Sequence, residues 1–270
     1  MSNFGNKILP GAIILVMATL AYAQENLTPR QRQIERERQR LSSTDLEERR
    51  DALIKLRIMN HPDAARAAVA GLNDPEPMVR VAAAHALQAL PGDEAVRLLA
   101  PLTTEKVEFV RREAASALGE TRRRAAVATL SSMLADKEPD VRAAAIIALG
   151  KIGDESAVTP LVQVLSETNK KKREGEFIMR AAADSLGEIR SRAGAPILIS
   201  VLSDESAAMD VRRAAARSLG LIGDPAAKPA LQAAIATADP YLAEAARAAL
   251  RRMRAASNSL ASKRERRRSI

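Results

Sequence analysis

The chain has 270 residues, 47% hydrophobic and 28% charged, with only 2% aromatic and no cysteine. The missing cysteine excludes disulfides, thiol chemistry, thiolate metal sites and a lipid-bearing cysteine behind a leader. The net charge of +9 is concentrated at one end: Arg251, Arg252, Arg254, Lys263, Arg264, Arg266, Arg267 and Arg268 face a single acid, Glu265, and residues 24–250 are nearly neutral.

Abundant alanine, leucine, arginine and glutamate, sparse glycine and proline, and no strictly alternating segment predict an all-helical chain. Few large side chains are needed for this, because small residues let helix axes approach to about 8–10 Å.

In chain order, residues 1–7 carry Lys7 and no acid, and residues 8–20 form an apolar run centred on Ile13-Ile14-Leu15-Val16-Met17. Ala21-Tyr22-Ala23 then has the small-x-small form of a secretory cleavage site. Residues 1–23 are therefore read as a signal peptide, with Gln24 as the mature start. A retained anchor is disfavoured by the shortness of the run and by Pro10 and Gly11. This predicts an exported protein, periplasmic or extracellular, with no transmembrane segment after cleavage. Residues 24–43 mix Arg30, Arg32, Arg36, Arg38 and Arg40 with Glu35 and Glu37 around only Leu27, Ile34 and Leu41. They read as a charged linker or arm, at most a short exposed helix after Thr28-Pro29.

Beyond Thr44 one stretch recurs. Its clearest copy is Val110-Arg111-Arg112-Glu113-Ala114-Ala115-Ser116-Ala117-Leu118-Gly119, and the anchors Val79, Val110, Val141, Ile178 and Val211 lie 31, 31, 37 and 33 residues apart. A looser copy starts at Leu46 and a truncated one follows at Leu242. This period fits a unit of two helices of about 12–14 residues each. The first helix carries an apolar stripe such as Val110, Ala114 and Leu118; the second carries Val158, Leu161 and Leu165, or Leu198 and Leu202. Gly119, Gly150, Gly187 and Gly220 fall where a helix end favours a residue free to take positive φ. Asp154 and Asp224 follow as N-cap candidates. No unit can bury its apolar face alone, so the stack is the fold.

The run Asp-Val-Arg-x-x-Ala-Ala-x-x-Leu-Gly-x-Ile-Gly-Asp at residues 210–224, repeated at 140–154 with Ile146 in one alanine place, resembles the HEAT repeats. The resemblance is to the short HEAT-like subclass first associated with phycobilin lyases, and it covers about residues 44–254. It implies a right-handed α-solenoid of about six helix pairs over 44–254, closed by a helix over 242–254 and followed by a basic disordered tail at 255–270. Such a motif is specific for fold and poor for function. The resemblance also implies that Arg80, Arg111, Arg142 and Arg212 form a structural ladder with aspartates such as Asp74, Asp136 or Asp204, rather than a phosphate-binding row. Met179 interrupts that column.

One branch of the family resembles deoxyhypusine hydroxylase, whose first helices bind iron through His-Glu pairs. The corresponding places here hold Val81, Arg112, Ala143, Arg180 and Arg213, and a guanidinium cannot ligate a metal. Of the two histidines, His61 precedes Pro62 in a turn. His85 shares its column with Ser116, Ile147, Asp184 and Arg217, so with units stacked about 10 Å apart it would stand about 30 Å from Asp184. No catalytic residue, metal site or cofactor is therefore expected. A lyase-like enzyme is a further alternative, disfavoured by the export signal because those lyases act inside the cell.

Three features remain as contact candidates. Residues 167–177 lengthen the spacing at the fourth unit and bring Lys170, Lys171, Lys172 and Arg173 into one loop, either a contact site or a solvated edge. The tail, with Arg264, Arg266 and Arg267, would be drawn to anionic lipid, acidic polysaccharide or an acidic partner, or would serve only as a solubilising end. Nucleic acid is disfavoured, since the mature chain offers only Phe109, Phe177 and Tyr241 for stacking on a nearly neutral body. The concave surface, expected from the second helices, presents Arg97, Ser132, Gln163, Ser200 and Gln232, small and mostly neutral positions suited to a protein or peptide. The sequence thus reads as an exported, non-catalytic scaffold for a protein partner in the cell envelope. The alternative is an envelope-surface binder acting through its basic tail.

Overall fold

The computed structural model describes the backbone of residues 27–168 and 175–268, and side chains over 27–166 and 175–256. Among the described residues there are 14 α-helices and no strand. The helices fall into two compact units that divide after Ala89.

The first unit contains α1 (Pro29–Arg40), α2 (Leu46–Ile58), α3 (Pro62–Ala68) and α4 (Pro77–Ala86). Their starts are written in the sequence. Thr28 and Gln31 form a reciprocal capping box on α1, Asp45 accepts from the Glu47 N–H at 2.9 Å on α2, and His61 Nδ1 accepts from the Asp63 N–H at 3.2 Å on α3. The segment expected as a linker or arm is instead a packed helix. Residues Ile34 and Glu37 of α1 are buried, α1 lies on α2 and α3, and Arg40 pairs with Glu37 at 2.8 Å and Asp51 at 2.7 Å. Ile34 is the one buried apolar side chain of α1, and the charges beside it pair with each other. Beneath, Ala52, Leu53, Leu56, Val79, Ala83 and Leu87 form the core of the unit.

The second unit begins with α5 (Glu94–Leu99), α6 (Glu108–Glu120), α7 (Val127–Ser132), α8 (Pro139–Ile152) and α9 (Val158–Thr168). It continues with α10 (Gly175–Ile189), α11 (Ala195–Ser203), α12 (Met209–Ile222), α13 (Lys228–Ile235) and α14 (Pro240–Arg268). First helices α6, α8, α10, α12 and α14 pack each on the next, and second helices α9, α11 and α13 do likewise on the other side of the core. The expected anchors Val110, Val141, Ile178, Val211 and Leu242 are all buried, as are Leu118, Leu161, Leu165, Leu198 and Leu202.

Three details depart from the sequence reading. The second helices are short: α7 has 6 residues, α11 has 9 and α13 has 8, against an expected 12–14, since each is entered through a 3-10 turn. Capping side chains set the turns before α9, α11 and α13: Asp154, Ser191 and Asp224 each accept from the N–H two residues on, which tightens the backbone before the α-helix begins.

Gly119, Gly150, Gly187 and Gly220 are not helix ends; they lie inside the first helices and are buried. A Cβ on Gly119 would stand 2.7 Å from Ala148 Cβ, on Gly150 2.7 Å from Ser185 Cβ, and on Gly220 2.7 Å from Ala249 Cβ. These glycines let consecutive first helices touch backbone to side chain. The left-handed residue comes three places later, as Gly153 (φ 73°) and Gly223 (φ 74°).

Finally, the segment expected as a disordered tail continues the last helix as far as Arg268. After Pro240 no glycine or proline interrupts it, and alanine, leucine, arginine, lysine and glutamate dominate its composition.

Candidate partner-binding surface

The arginine column has a definite geometry in the second unit. Arg111 on α6 donates Nε to Asp136 Oδ2 at 2.7 Å and Nη2 to Oδ1 at 2.9 Å, a bidentate pair reaching the turn before α8. Its Nη1 binds the carbonyls of Glu105 at 2.8 Å and Lys106 at 3.2 Å, so one side chain ties its own turn to the next unit. Arg111 holds the Asp136 carboxyl below the usual carboxylate range, against burial, and the Glu138 N–H adds to the effect. Within the first unit Arg49 does the same work, with Asp74 at 2.8 and 3.1 Å. Arg80 and Arg142 bind carbonyls of their own preceding turns.

Arg212 departs from the ladder: its Nε donates to the Leu202 carbonyl at 3.0 Å. The next turn carries its carboxylate late, at Asp239, and Arg213 takes that partner. Asp204 accepts from the Ser206 N–H at 2.9 Å and from its hydroxyl. Met179, in the column's interrupted place, is buried.

Arg112 stacks on Phe109 with its guanidinium 5.1 Å from the ring centroid and pairs with Glu113 at 3.0 Å. Arg180 lies 5.4 Å over Phe177, and Arg213 5.1 Å over Tyr241. Phe177 is half exposed rather than packed under the next helix. Among the described residues no group of three or more His, Asp or Glu side chains is placed to hold a metal ion, and no helix is long and apolar enough to cross a membrane.

Arg97, Ser132, Gln163, Ser200 and Gln232 are all exposed, one on each of the second helices α5, α7, α9, α11 and α13. Ser132 turns its hydroxyl back to the Thr129 carbonyl at 2.7 Å. The candidate basic contacts Lys170, Lys171, Lys172 and Arg173, and the side chains of Arg264, Arg266 and Arg267, lie outside the described residues.

One cluster escaped the sequence reading. Arg122, Arg123 and Arg124 form the exposed turn between α6 and α7, beside a shallow concavity of about 970 Å³ lined also by Asp93, Ser131 and Ser156. Three consecutive arginines were its visible signal, overlooked because the repeat motif ends just before them.

HEAT-repeat models match residues 34–118, 108–179 and 178–251, which together span most of the chain. The chain belongs to the HEAT-repeat family. No curated protein sequence matches this HEAT-repeat chain significantly. Among solved structures, the CpcE–CpcF complex of phycocyanin lyase from Nostoc sp. PCC7120 aligns over 93% of this chain and 91% of that one, with 23% identity and a TM-score of 0.49. Human deoxyhypusine hydroxylase aligns over 88% and 89%, with 22% identity and a TM-score of 0.43. A designed armadillo repeat protein in complex with the peptide (KR)4 aligns over 81% and 98%, with 19% identity and a TM-score of 0.45.

Proposed function

We propose that this HEAT-repeat protein is an exported, non-catalytic scaffold that binds a protein or peptide partner of the cell envelope. The observation that carries the reading is the series Arg97, Ser132, Gln163, Ser200 and Gln232: exposed positions on successive second helices, small or polar, and repeated with the period of the fold. Repeated exposed positions suit an extended macromolecular partner, whose contacts are spread along a stack. Small-molecule chemistry needs converging groups in one enclosed place instead. The arginine in the iron-ligand place, occupied by Phe109 and Glu113, supports the same reading.

The test is affinity capture from envelope fractions with photo-crosslinkers at Ser200 and Gln232. A single partner cross-linked at those helices supports the scaffold. Capture unaffected by aspartate substitutions at all five positions overturns this surface, and visible absorbance from a co-purified tetrapyrrole overturns the non-catalytic reading.

Export rests on residues 1–23 and predicts a mature chain starting at Gln24. Mass spectrometry finding Met1 or Ser2 at the N-terminus of a cytosolic protein contradicts it.

The second reading, an envelope-surface binder acting through the basic end, is favoured by the charge concentrated in residues 251–270 on a helical backbone that continues to Arg268. Deleting 257–270 separates the two, since unchanged capture removes the tail-driven mechanism.

A further inference from the structure

First helices α6, α8, α10 and α12 each end in a turn where the third residue after the buried glycine takes up the left-handed conformation. Along the stack from α6 that place is held by Arg122 (φ 51°), Gly153 (φ 73°), Arg190 (φ 58°) and Gly223 (φ 74°). Glycine accepts this backbone freely, whereas a residue with a Cβ is strained there. Two of the four turns nevertheless carry arginine, each with a second exposed arginine beside it: Arg123 in one turn and Arg192 in the other. Strain kept at exposed positions where the neighbouring units manage with glycine points to the side chain itself.

The turns form one continuous edge. Arg124 reaches Asp154 of the next turn at 3.6 Å, and the Ser191 hydroxyl donates to Glu155 Oε1 at 3.0 Å. These contacts also occupy the acids between the two arginine turns. Asp154 accepts further from the Ser156 N–H at 2.9 Å and from its hydroxyl, and these bonds hold its carboxyl below the usual range. The guanidinium groups of Arg122, Arg123, Arg190 and Arg192 have no hydrogen-bond or charge partner among the described residues. The edge therefore holds four uncommitted cations in two pairs, separated by one unit whose carboxylates are already engaged. Two units correspond to about 20 Å, a distance that an extended peptide spans in about six residues. Ser156 and Pro160, at the start of α9, line the concavity beside the arginines, as does Asp93.

We infer that this arginine edge, rather than the basic C-terminal end, binds an acidic segment of the partner protein in extended form. The inference rests on the scaffold reading and adds the partner's chemistry to it. Guanidinium groups in pairs match carboxylates bidentately, and their separation suits a peptide with acids at both ends of a short run better than a single compact anion.

The test uses the full chain and a fluorescein-labelled oligo-glutamate of about ten residues, long enough to cover the edge, read by fluorescence anisotropy. The variant carrying Arg122→Gly, Arg123→Ser, Arg190→Gly and Arg192→Ser should bind about tenfold more weakly or worse, while deletion of 257–270 changes the affinity by less than about threefold. Because glycine is at home at positive φ, the variant should melt no lower than the parent; a lower melting temperature assigns the arginines a structural role and overturns the inference. It is equally overturned if the parent fails to bind oligo-glutamate, or if the tail deletion abolishes binding that the quadruple variant retains. Anionic phosphatidylglycerol vesicles or a sulfated polysaccharide retained through these arginines, with oligo-glutamate ignored, overturns it in favour of those surfaces. A partner captured equally by parent and quadruple variant removes the arginine edge and leaves the scaffold reading standing.

Discussion

Ser185 and Ser218 occupy the same place in successive first helices and are both buried, yet they differ in one bond. Ser185 Oγ donates to the Ile146 carbonyl at 3.0 Å, whereas Ser218 Oγ has no hydrogen-bond partner among the described residues. A made buried hydrogen bond contributes about 1 kcal/mol, while an unmade one carries the desolvation cost of the hydroxyl without return. Ser185→Ala should therefore destabilise by about 1 kcal/mol, and Ser218→Ala should be neutral or stabilising, as urea denaturation will show. The left-handed turns give a second opposed pair. Arg122→Gly should stabilise by about 0.5–1 kcal/mol, and Gly153→Ala should destabilise by about 1 kcal/mol, each read as a shift in the urea midpoint. At this scale the sequence was legible only in part. The column of Arg111 could be read from the repeat, but Arg49 was hidden because Glu48 stands where the other units carry an apolar anchor. Arg212 was misleading because the acid of the next ladder turn had slipped to Asp239, where Arg213 takes it.

At the scale of the element, the seams between first helices decide stability. Gly150 touches Ser185 so closely that an added methyl would meet its Cα at 2.8 Å, a backbone contact that cannot be relieved by turning a side chain. Gly150→Ala should cost about 1–3 kcal/mol by prising α8 from α10, a larger loss than helix propensity alone would suggest, since alanine is the better helix former. The glycine was plain in the sequence and its reason was not: a motif ending in glycine reads as a helix stop until the neighbouring helix is in view.

The Arg111–Asp136 tie adds an acid sensitivity to the same seam. Asp136 titrates below its ordinary value in the folded chain, so its contribution is complete above the unfolded value and disappears as the pH falls through the folded one. Between about pH 5 and 2 the parent should lose more stability than Asp136→Asn, which lacks that proton-linked loss. Arg111→Ala should cost about 3 kcal/mol at neutral pH, because it leaves a largely buried carboxylate without its partner. Thermal melts across that pH range check both.

For the molecule as a whole, repeat period, helical class and the burial of the anchors from Val79 to Leu242 could be read directly, since each rests on apolar residues at fixed spacing. The functional surface could not, because the exposed faces of a stack are free of packing constraints and mutually similar in composition. The closing helix makes a test at this scale. Leu242, Ala246, Ala249 and Met253 of α14 are buried against α12 and α13, so ending the chain before Pro240 uncovers the apolar face of the last pair. That truncation should aggregate or lose its cooperative melt, whereas ending it at residue 256 should leave the melting temperature within about 2 °C. Size-exclusion chromatography and calorimetry distinguish the two.

The stacking of Arg213 on Tyr241 joins α12 to the helix that closes the second unit. The chain has no tryptophan, and its other tyrosine is Tyr22 in the leader-like segment. In a chain lacking residues 1–23, nearly all the ultraviolet emission comes from one phenol at this junction. Its intensity is an intrinsic gauge of whether the last helix is seated, and a partner binding elsewhere would leave it unchanged.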